Sequence, residues 1–257
     1  MSARIEWAGP VAHVVIDRPS VHNAFDDALI ATLTTLFAQL ATSEARAVVL
    51  RSVGPSFSAG ADLSWMRRMA GYSEAENLAD ARALAAMLRA LDRLPMPSIA
   101  RVQGNAFGGG VGLIAACDMA VAAEGALFAL SEVRLGIIPS AIGPYVLRAI
   151  GAREASRWCV TGERFDCATA LRIGLVHQVV PVEDLHEATD RLVGEALKAG
   201  PAAARAAKAL VRDYSGRPID DELVEETARR IATLRATPEA KDGLSAFLEK
   251  RKPRWMA

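Results

Sequence analysis

Residues 105–118 read NAFGGGVGLIAACD, with Gly108, Gly109 and Gly110 in a row and Gly112 two positions on. The preceding run, PSIARVQG, has the β-branched character of a strand, and the run after the glycines has that of a helix. Glycines that open a helix leave backbone N–H groups without intrahelical acceptors, at the end where the helix dipole favours negative charge. An oxygen that becomes anionic during a reaction is stabilised there, and two converging N–H groups do this far better than one. A second small-residue turn, Ser58-Ala59-Gly60-Ala61, lies in SFSAGADLSWM (56–66) between an apolar run and a polar helix start. Neither common phosphate cradle fits the triplet. No Lys follows as G-x-x-x-x-G-K-[ST] requires, and Leu113 stands where G-x-G-x-x-G needs its last glycine. Taken singly, each turn is more often a tight connection than a catalytic feature; their co-occurrence with the segments below favours an oxyanion-binding pair.

An alternating framework must position these turns. VAHVVID (11–17), RAVVLRS (46–52), SIARVQG, DMAVAA, ALFAL and GLVHQVV (174–180) read as strands. AFDDALIATLTTLFAQL (24–40) reads as an amphipathic helix that Asn23 can cap, and a second helix covers roughly 74–93. From about 151 helices dominate, through AREASRWCV, CATALRI, VEDLHEATDRLVGEAL, PAAARAAKALVRD and DDELVEETARRIATLR, with Gly174 where a helix ends. This alternation predicts an α/β core. The helical tail from about 200 has no strand partner, so its apolar faces must pack on the core or on another subunit.

The composition narrows the function classes. Thirty Lys plus Arg balance thirty Asp plus Glu among 257 residues, which argues against a nucleic-acid partner. Cys117, Cys159 and Cys167 form no C-x-x-C or Cys/His cluster, so neither a metal site nor a disulfide framework is expected. No signal pattern and no 18-residue apolar run occurs, so a soluble cytoplasmic protein with no membrane contact is expected. His13 and His177 fall in strand-like runs and read as structural. No motif sets a Ser or Cys beside a His, which leaves nucleophilic catalysis without support.

Five segments in register, RPSVHNAF, FSAGADL, NAFGGGVGLIAACDMAVA, ALFALSEVRLGIIP and SAFLEKRKPRW, resemble the enoyl-CoA hydratase/isomerase (crotonase) family over nearly the whole chain. The resemblance implies an α/β crotonase-like spiral of ββα units over 1–198 that binds acyl-CoA. A helical C-terminal trimerisation region over 199–257 would complete the CoA site. The implied assembly is a homotrimer or dimer of trimers. The implied substrate is an acyl-CoA thioester, with no cofactor beyond the coenzyme A it carries. Mapped by motif, the two N–H groups that hold the thioester oxygen and stabilise the enolate belong to Ala61 and Gly109.

Typical two-acid hydratases of this family carry one glutamate two residues after the glycine triplet and another about twenty residues on. Here those positions are Gly112 and Glu132. Glu132 matches the residue that handles the α-carbon proton. Hydration also needs a group to activate water. Three explanations stay open: Glu132 does both jobs, with the water held also by backbone or by Ser140 after Pro139; the substrate supplies a carboxylate and takes the room at Gly112; or the reaction is a double-bond isomerisation by one glutamate. GGGVGLIAACD with LSEVRLGIIPSAIGPYVLRAIG resembles bacterial hydratases of methylglutaconyl-CoA or isohexenylglutaconyl-CoA, and this favours a hydratase. Arg67, Arg68 and Tyr145 are candidates for receiving a distal carboxylate. A non-catalytic acyl-CoA-binding homologue is a further alternative, which the presence of Glu132 disfavours.

The resemblance also maps CoA contacts. Adenine would meet the segment Ala59, Ala61, Asp62 and Leu63, with backbone from His22 nearby; Asp62 and Asp118 also read as turn-fixing carboxylates. Pro139 and Ser140 would face the acyl group. Phe247 and Lys250 would reach the CoA of a neighbouring subunit, a point charge on a flexible stem suiting a phosphate. Trp65 and Met66 are expected to line a flap over the acyl pocket.

Overall fold

The computed structural model describes residues 2–256. Two sheets carry the fold. The first opens with the hairpin β1 (Ala3–Ala8) and β2 (Val11–Ile16), joined by the two-residue turn Gly9-Pro10. It continues through β3 (Ala47–Ser52), β5 (Ser98–Val102), β7 (Met119–Ala123) and β10 (Gln178–Val180), all parallel to β2. The second sheet is built from three-residue strands: β4 (Ser56–Ser58), β6 (Asn105–Phe107) and β8 (Leu127–Ala129) run parallel, and β9 (Arg164–Asp166) is antiparallel at the edge.

The central strands are apolar on both sides because helices cover both faces of the sheet. In β3, Val48 and Leu50 belong to the main core cluster, whereas Ala47 and Val49 face the smaller cluster around Val193. Helix α1 (Asp27–Ala41) buries Leu29, Leu33, Phe37 and Leu40, three or four residues apart, against α3 (Glu74–Asp92), which returns Met87, Leu88 and Leu91. Each such side chain contributes about 1.5–3 kcal/mol when fully buried. On the opposite face α7 (Leu185–Lys198) seats Leu185, Ala188 and Val193.

Three local readings change. Helix α1 begins at residue 27, capped by Asp26, whose side chain accepts the Leu29 N–H at 2.7 Å. Asn23 is not a cap: it takes φ +55° and is fully buried, and its Nδ2 donates to Val53 O and Ser56 O. Consecutive left-handed residues, His22 and Asn23, cannot open an α-helix. The helix expected from 152 is the second half of α5 (Gly143–Thr161), which bends at Gly151. The strand expected over 174–180 pairs only from 178, because Gly174–Val176 wrap the end of α6 (Cys167–Arg172) with their N–H groups on Leu171 O and Ala170 O.

The tail folds as α8 (Pro201–Tyr214), α9 (Asp221–Arg235) and α10 (Pro238–Leu248). Lys208 of α8 ties it to the core through Asp118, 2.7 Å away, which also accepts from Ser98. Among the described residues no helix is long and apolar enough to cross a membrane.

Candidate active site

The two glycine-bearing turns leave adjacent parallel strands. Pairing of β4 with β6 sets Ser58-Ala59-Gly60 beside Phe107-Gly108, and Gly60 has room for no side chain there: a Cβ would sit 3.1 Å from Phe107 O. Gly60 takes φ +88°, and Gly108 takes φ +51°, ψ −118°, conformations that disfavour residues with a Cβ.

The triplet is explained by what occupies the space of each absent side chain. At Gly108 a Cβ would lie 3.1 Å from Glu132 Oε1; at Gly109, 3.0 Å from the Phe25 ring; at Gly110, 2.9 Å from Ser58. The backbone of the triplet therefore approaches a carboxylate, an aromatic ring and the neighbouring strand at once.

Two N–H groups remain free. Phe25 bridges the first turn by donating to Gly60 O (2.6 Å) and accepting from Asp62 N–H (2.7 Å), which skips the Ala61 N–H. Gly109 is the first residue of α4 (Gly109–Ala116), so its N–H points out of the helix start. Among the described residues neither N–H has an acceptor. The sites predicted for the oxyanion donors are thus backbone groups on two touching turns.

Glu132 joins them through β8. The Gly108 N–H donates to Ala129 O at 2.9 Å, fixing the end of β6 to the end of β8, and the 3₁₀ turn Ser131–Leu135 follows directly. Glu132 O accepts from Ile137 N–H, which closes that turn. Among the described residues the carboxylate has no ion-pair partner, and its buried Oε2 has no hydrogen bond. Burial pushes its pKa up, opposed only by a hydrogen bond to its own backbone. A desolvated carboxylate beside two free N–H groups is suited to exchanging a proton with a carbon acid whose oxygen those N–H groups hold.

The loop that frames the first turn is pinned by charge and amide. Arg18 donates to Ala24 O and pairs with Asp26 at 2.7 Å and Asp62 at 3.4 Å. His22 O accepts the Ala59 N–H, and its Nδ1 lies 3.0 Å from Ser56 Oγ. Asp62 caps α2 (Leu63–Met69) by accepting from Ser64 and Trp65. Asp62→Ala is expected to cost about 1 kcal/mol through the lost cap, lowering the melting temperature by roughly 2–4 °C for a chain of this size. A calorimetric melt measures this, and an unchanged midpoint would refute the capping role.

Several expected residues stand elsewhere. Trp65 is core, not flap: it is 4% exposed, packs in the main cluster and donates Nε1–H to Asp80 of α3 at 3.0 Å. Met66 is half-buried beside it. Ala59, Leu63 and Ser140 are exposed, and Pro139 is half-buried, in the stretch that enters α5. Phe247 is 82% exposed, and Lys250 is exposed with φ +54°. Among the described residues no hydrogen bond ties either to the glycine turns. Their segment is anchored near the start of β3: Arg46 donates to Trp255 O and Leu197 O, and Trp255 Nε1–H donates to Lys198 O. Arg68 is paired with Asp27 at 2.6 Å, and Tyr145 packs on the core under Arg148. Arg67, exposed on α2, has no acidic partner among the described residues.

The room imagined at Gly112 does not exist. A Cβ there would lie 2.2 Å from Ile142 Cγ2 and 2.8 Å from Ile142 Cβ, with Leu88 behind. The packing of Ile142, Phe25 and Ser58 against the three glycines is what no sequence motif revealed. The Cys117 thiol, pushed up to about 12 by burial, stays protonated and is no nucleophile. His177 Nδ1 accepts from Ala120 N–H, a structural role. His13 Nδ1 is buried without a partner, and burial followed by Arg51 and Arg101 lowers its pKa and keeps the ring neutral. Among the described residues no group of His, Cys, Asp or Glu side chains could hold a metal ion.

Paired parallel turns that each leave one backbone N–H free, with one desolvated carboxylate alongside, form a site suited to stabilising an oxyanion. The chain belongs to the enoyl-CoA hydratase/isomerase family, whose model matches residues 6–257. It superposes on an enoyl-CoA hydratase from Shewanella pealeana with TM-score 0.96 at 40% identity, covering 99% of this chain and 96% of that one. An enoyl-CoA hydratase/isomerase (crotonase) structure from Legionella pneumophila gives TM-score 0.94 at 41% identity, covering 99% and 98%. In sequence it is 35% identical over 244 residues to the 2,3-dehydroadipyl-CoA hydratase of Escherichia coli, covering 93% of this chain and 92% of the relative. The fold is thus that of the family, two mixed sheets followed by a helical C-terminal region.

Proposed function

We propose that this enzyme adds water across the α,β double bond of an acyl-CoA thioester. The observation that carries this reading is the placement of Glu132 Oε1 against Gly108, in the turn whose next residue, Gly109, has a free N–H, and beside the turn that leaves the Ala61 N–H free. The thioester oxygen binds the two N–H groups and gains charge as water adds at C3. Glu132, ionised at the start, takes the water proton and delivers it to C2. No metal or further cofactor enters; coenzyme A arrives with the substrate.

The preferred acyl group is a branched glutaconyl type bearing a distal carboxylate. Support comes from the similarity to a hydratase named for 2,3-dehydroadipyl-CoA, itself a dicarboxylic thioester. Arg67, on the helix that follows the first turn and without an acidic partner among the described residues, would receive that carboxylate. The C-terminal helices assemble the protomers into a trimer or a dimer of trimers, bringing Phe247 and Lys250 to a neighbour's CoA. Isomerisation by Glu132 alone is the second reading, favoured by the single carboxylate.

Loss of the enoyl-thioester absorbance, followed with crotonyl-CoA and 3-methylglutaconyl-CoA side by side and with products weighed, tests both. A product heavier by one water, formed faster from the branched acid, is the expected result. Turnover at constant mass establishes the isomerase, and tight binding without turnover establishes a non-catalytic homologue. Arg67→Met is expected to raise KM for the carboxylated substrate about tenfold, the value of a lost 1.4 kcal/mol contact, while leaving crotonyl-CoA unaffected.

A further inference from the structure

Gly112 and Ile142 fit each other as a glycine fits a knob. We propose that Ile142 is a specificity-determining residue that seals the wall of the acyl site one helical turn below Gly109. The inference rests on the proposed acyl-thioester function, although it does not depend on which reaction follows. Positions 109 and 112 are three apart on α4 and so share a face. With the thioester oxygen at the Gly109 N–H and C2 under Glu132, C3 and its substituents fall toward that next turn. What they meet is the surface that Ile142 completes. Ile142 sits in the turn entering α5, is 2% exposed and belongs to the main core cluster, and its Cβ and Cγ2 fill the space in front of Gly112. Being β-branched, it cannot rotate both groups out of that space.

Two consequences follow. No side chain can be installed at 112 while Ile142 remains, so the wall stays apolar and proton transfer is left to Glu132. The volume given to a C3 substituent is set by the Ile142 side chain, which fills the space that a side chain at 112 would take.

A double-mutant cycle separates this role from ordinary core packing. Ile142→Gly removes both overlapping atoms, and the core packing it gives up is read separately in the melting temperature. Gly112→Ala, Ile142→Gly and the double variant are compared by melting temperature and by calorimetric binding of butyryl-CoA and 3-methylbutyryl-CoA, saturated thioesters that cannot turn over. Gly112→Ala alone is expected to weaken binding of both thioesters at least tenfold, and in the Ile142→Gly background to cost less than threefold. Ile142→Gly alone is expected to shift the ratio of the two affinities at least tenfold toward the branched thioester, the effect of about one methylene. An additive cycle with an unchanged ratio overturns the proposal and leaves Ile142 a core residue. Failure of the wild-type protein to bind either thioester overturns the acyl-CoA reading instead, before any variant is compared. A Gly112→Ala protein too unstable to assay still leaves the ratio in Ile142→Gly to decide.

Discussion

Glu132→Gln is expected to abolish most of the turnover while leaving a more stable protein. The loss is expected to be about 10²–10⁴-fold in kcat, the range for removing a positioned general acid–base. Affinity for butyryl-CoA should stay within about twofold, since the Ala61 and Gly109 N–H groups proposed to hold the thioester are untouched. The gain in stability follows from the carboxylate's surroundings: Oε2 is buried without a partner, and among the described residues Glu132 forms no ion pair. Replacing the charge by a neutral amide of the same shape removes the cost of desolvating a charged group, while the amide at the Oε2 position remains unpartnered. A catalytic group kept at such a cost is a mark of function, because nothing in the packing calls for it.

The sign of the pH dependence is fixed by the direction of the shift. Burial raises the Glu132 pKa in the folded protein above its value in the unfolded chain. Between those two values the folded protein holds a proton that the unfolded chain has released, so stability falls as pH rises through that window. Above it the full penalty is present, and below it the penalty is absent. The excess melting temperature of Glu132→Gln over the parent is therefore largest near neutrality and closes as pH falls toward the ordinary carboxylate value. The same group places the rising limb of kcat/KM at the raised pKa, because the free enzyme needs Glu132 ionised. A stability difference independent of pH would mean that the carboxylate is solvated after all.

Backbone chemistry was legible in the sequence, and side-chain complementarity was not. The turns at 58–61 and 108–110 announce themselves because small residues cluster where a strand meets a helix, and the donors need no side chain. Parallel strands such as β3 and β5 show as apolar β-branched runs. Glu132 came from resemblance alone, since one glutamate in a short turn has no pattern of its own. The pairs Gly109 with Phe25, Gly110 with Ser58 and Gly112 with Ile142 join residues far apart in the chain, so no local window contains them. Strands β4, β6 and β9 are three residues long, too short for an alternation to register. Asn23 reads as a helix cap because Asn commonly is one; its left-handed backbone and burial are set by Val53 and Ser56, which the sequence places thirty positions away or more.

Ala61→Pro is expected to lower kcat by about 10²–10³-fold, the cost of one oxyanion donor. Position 61 is the better place to delete an N–H, because the bridge across Phe25 uses Gly60 O, Phe25 N–H and O, and Asp62 N–H, and so loses nothing. At 109 any added ring would meet Phe25, 3.0 Å from an ideal Cβ, and donor loss would be confused with displacement of that ring. Ala61→Ser keeps the N–H and serves as the control, with activity expected within about threefold. Combining Ala61→Pro with Glu132→Gln decides whether the two groups serve one transition state. If the N–H stabilises the same enolate whose proton Glu132 moves, the double variant falls much less than the product of the single losses, as in catalytic groups that act as a unit. Full multiplicativity would assign the Ala61 donor to ground-state binding of the thioester, and KM rather than kcat would then carry its effect.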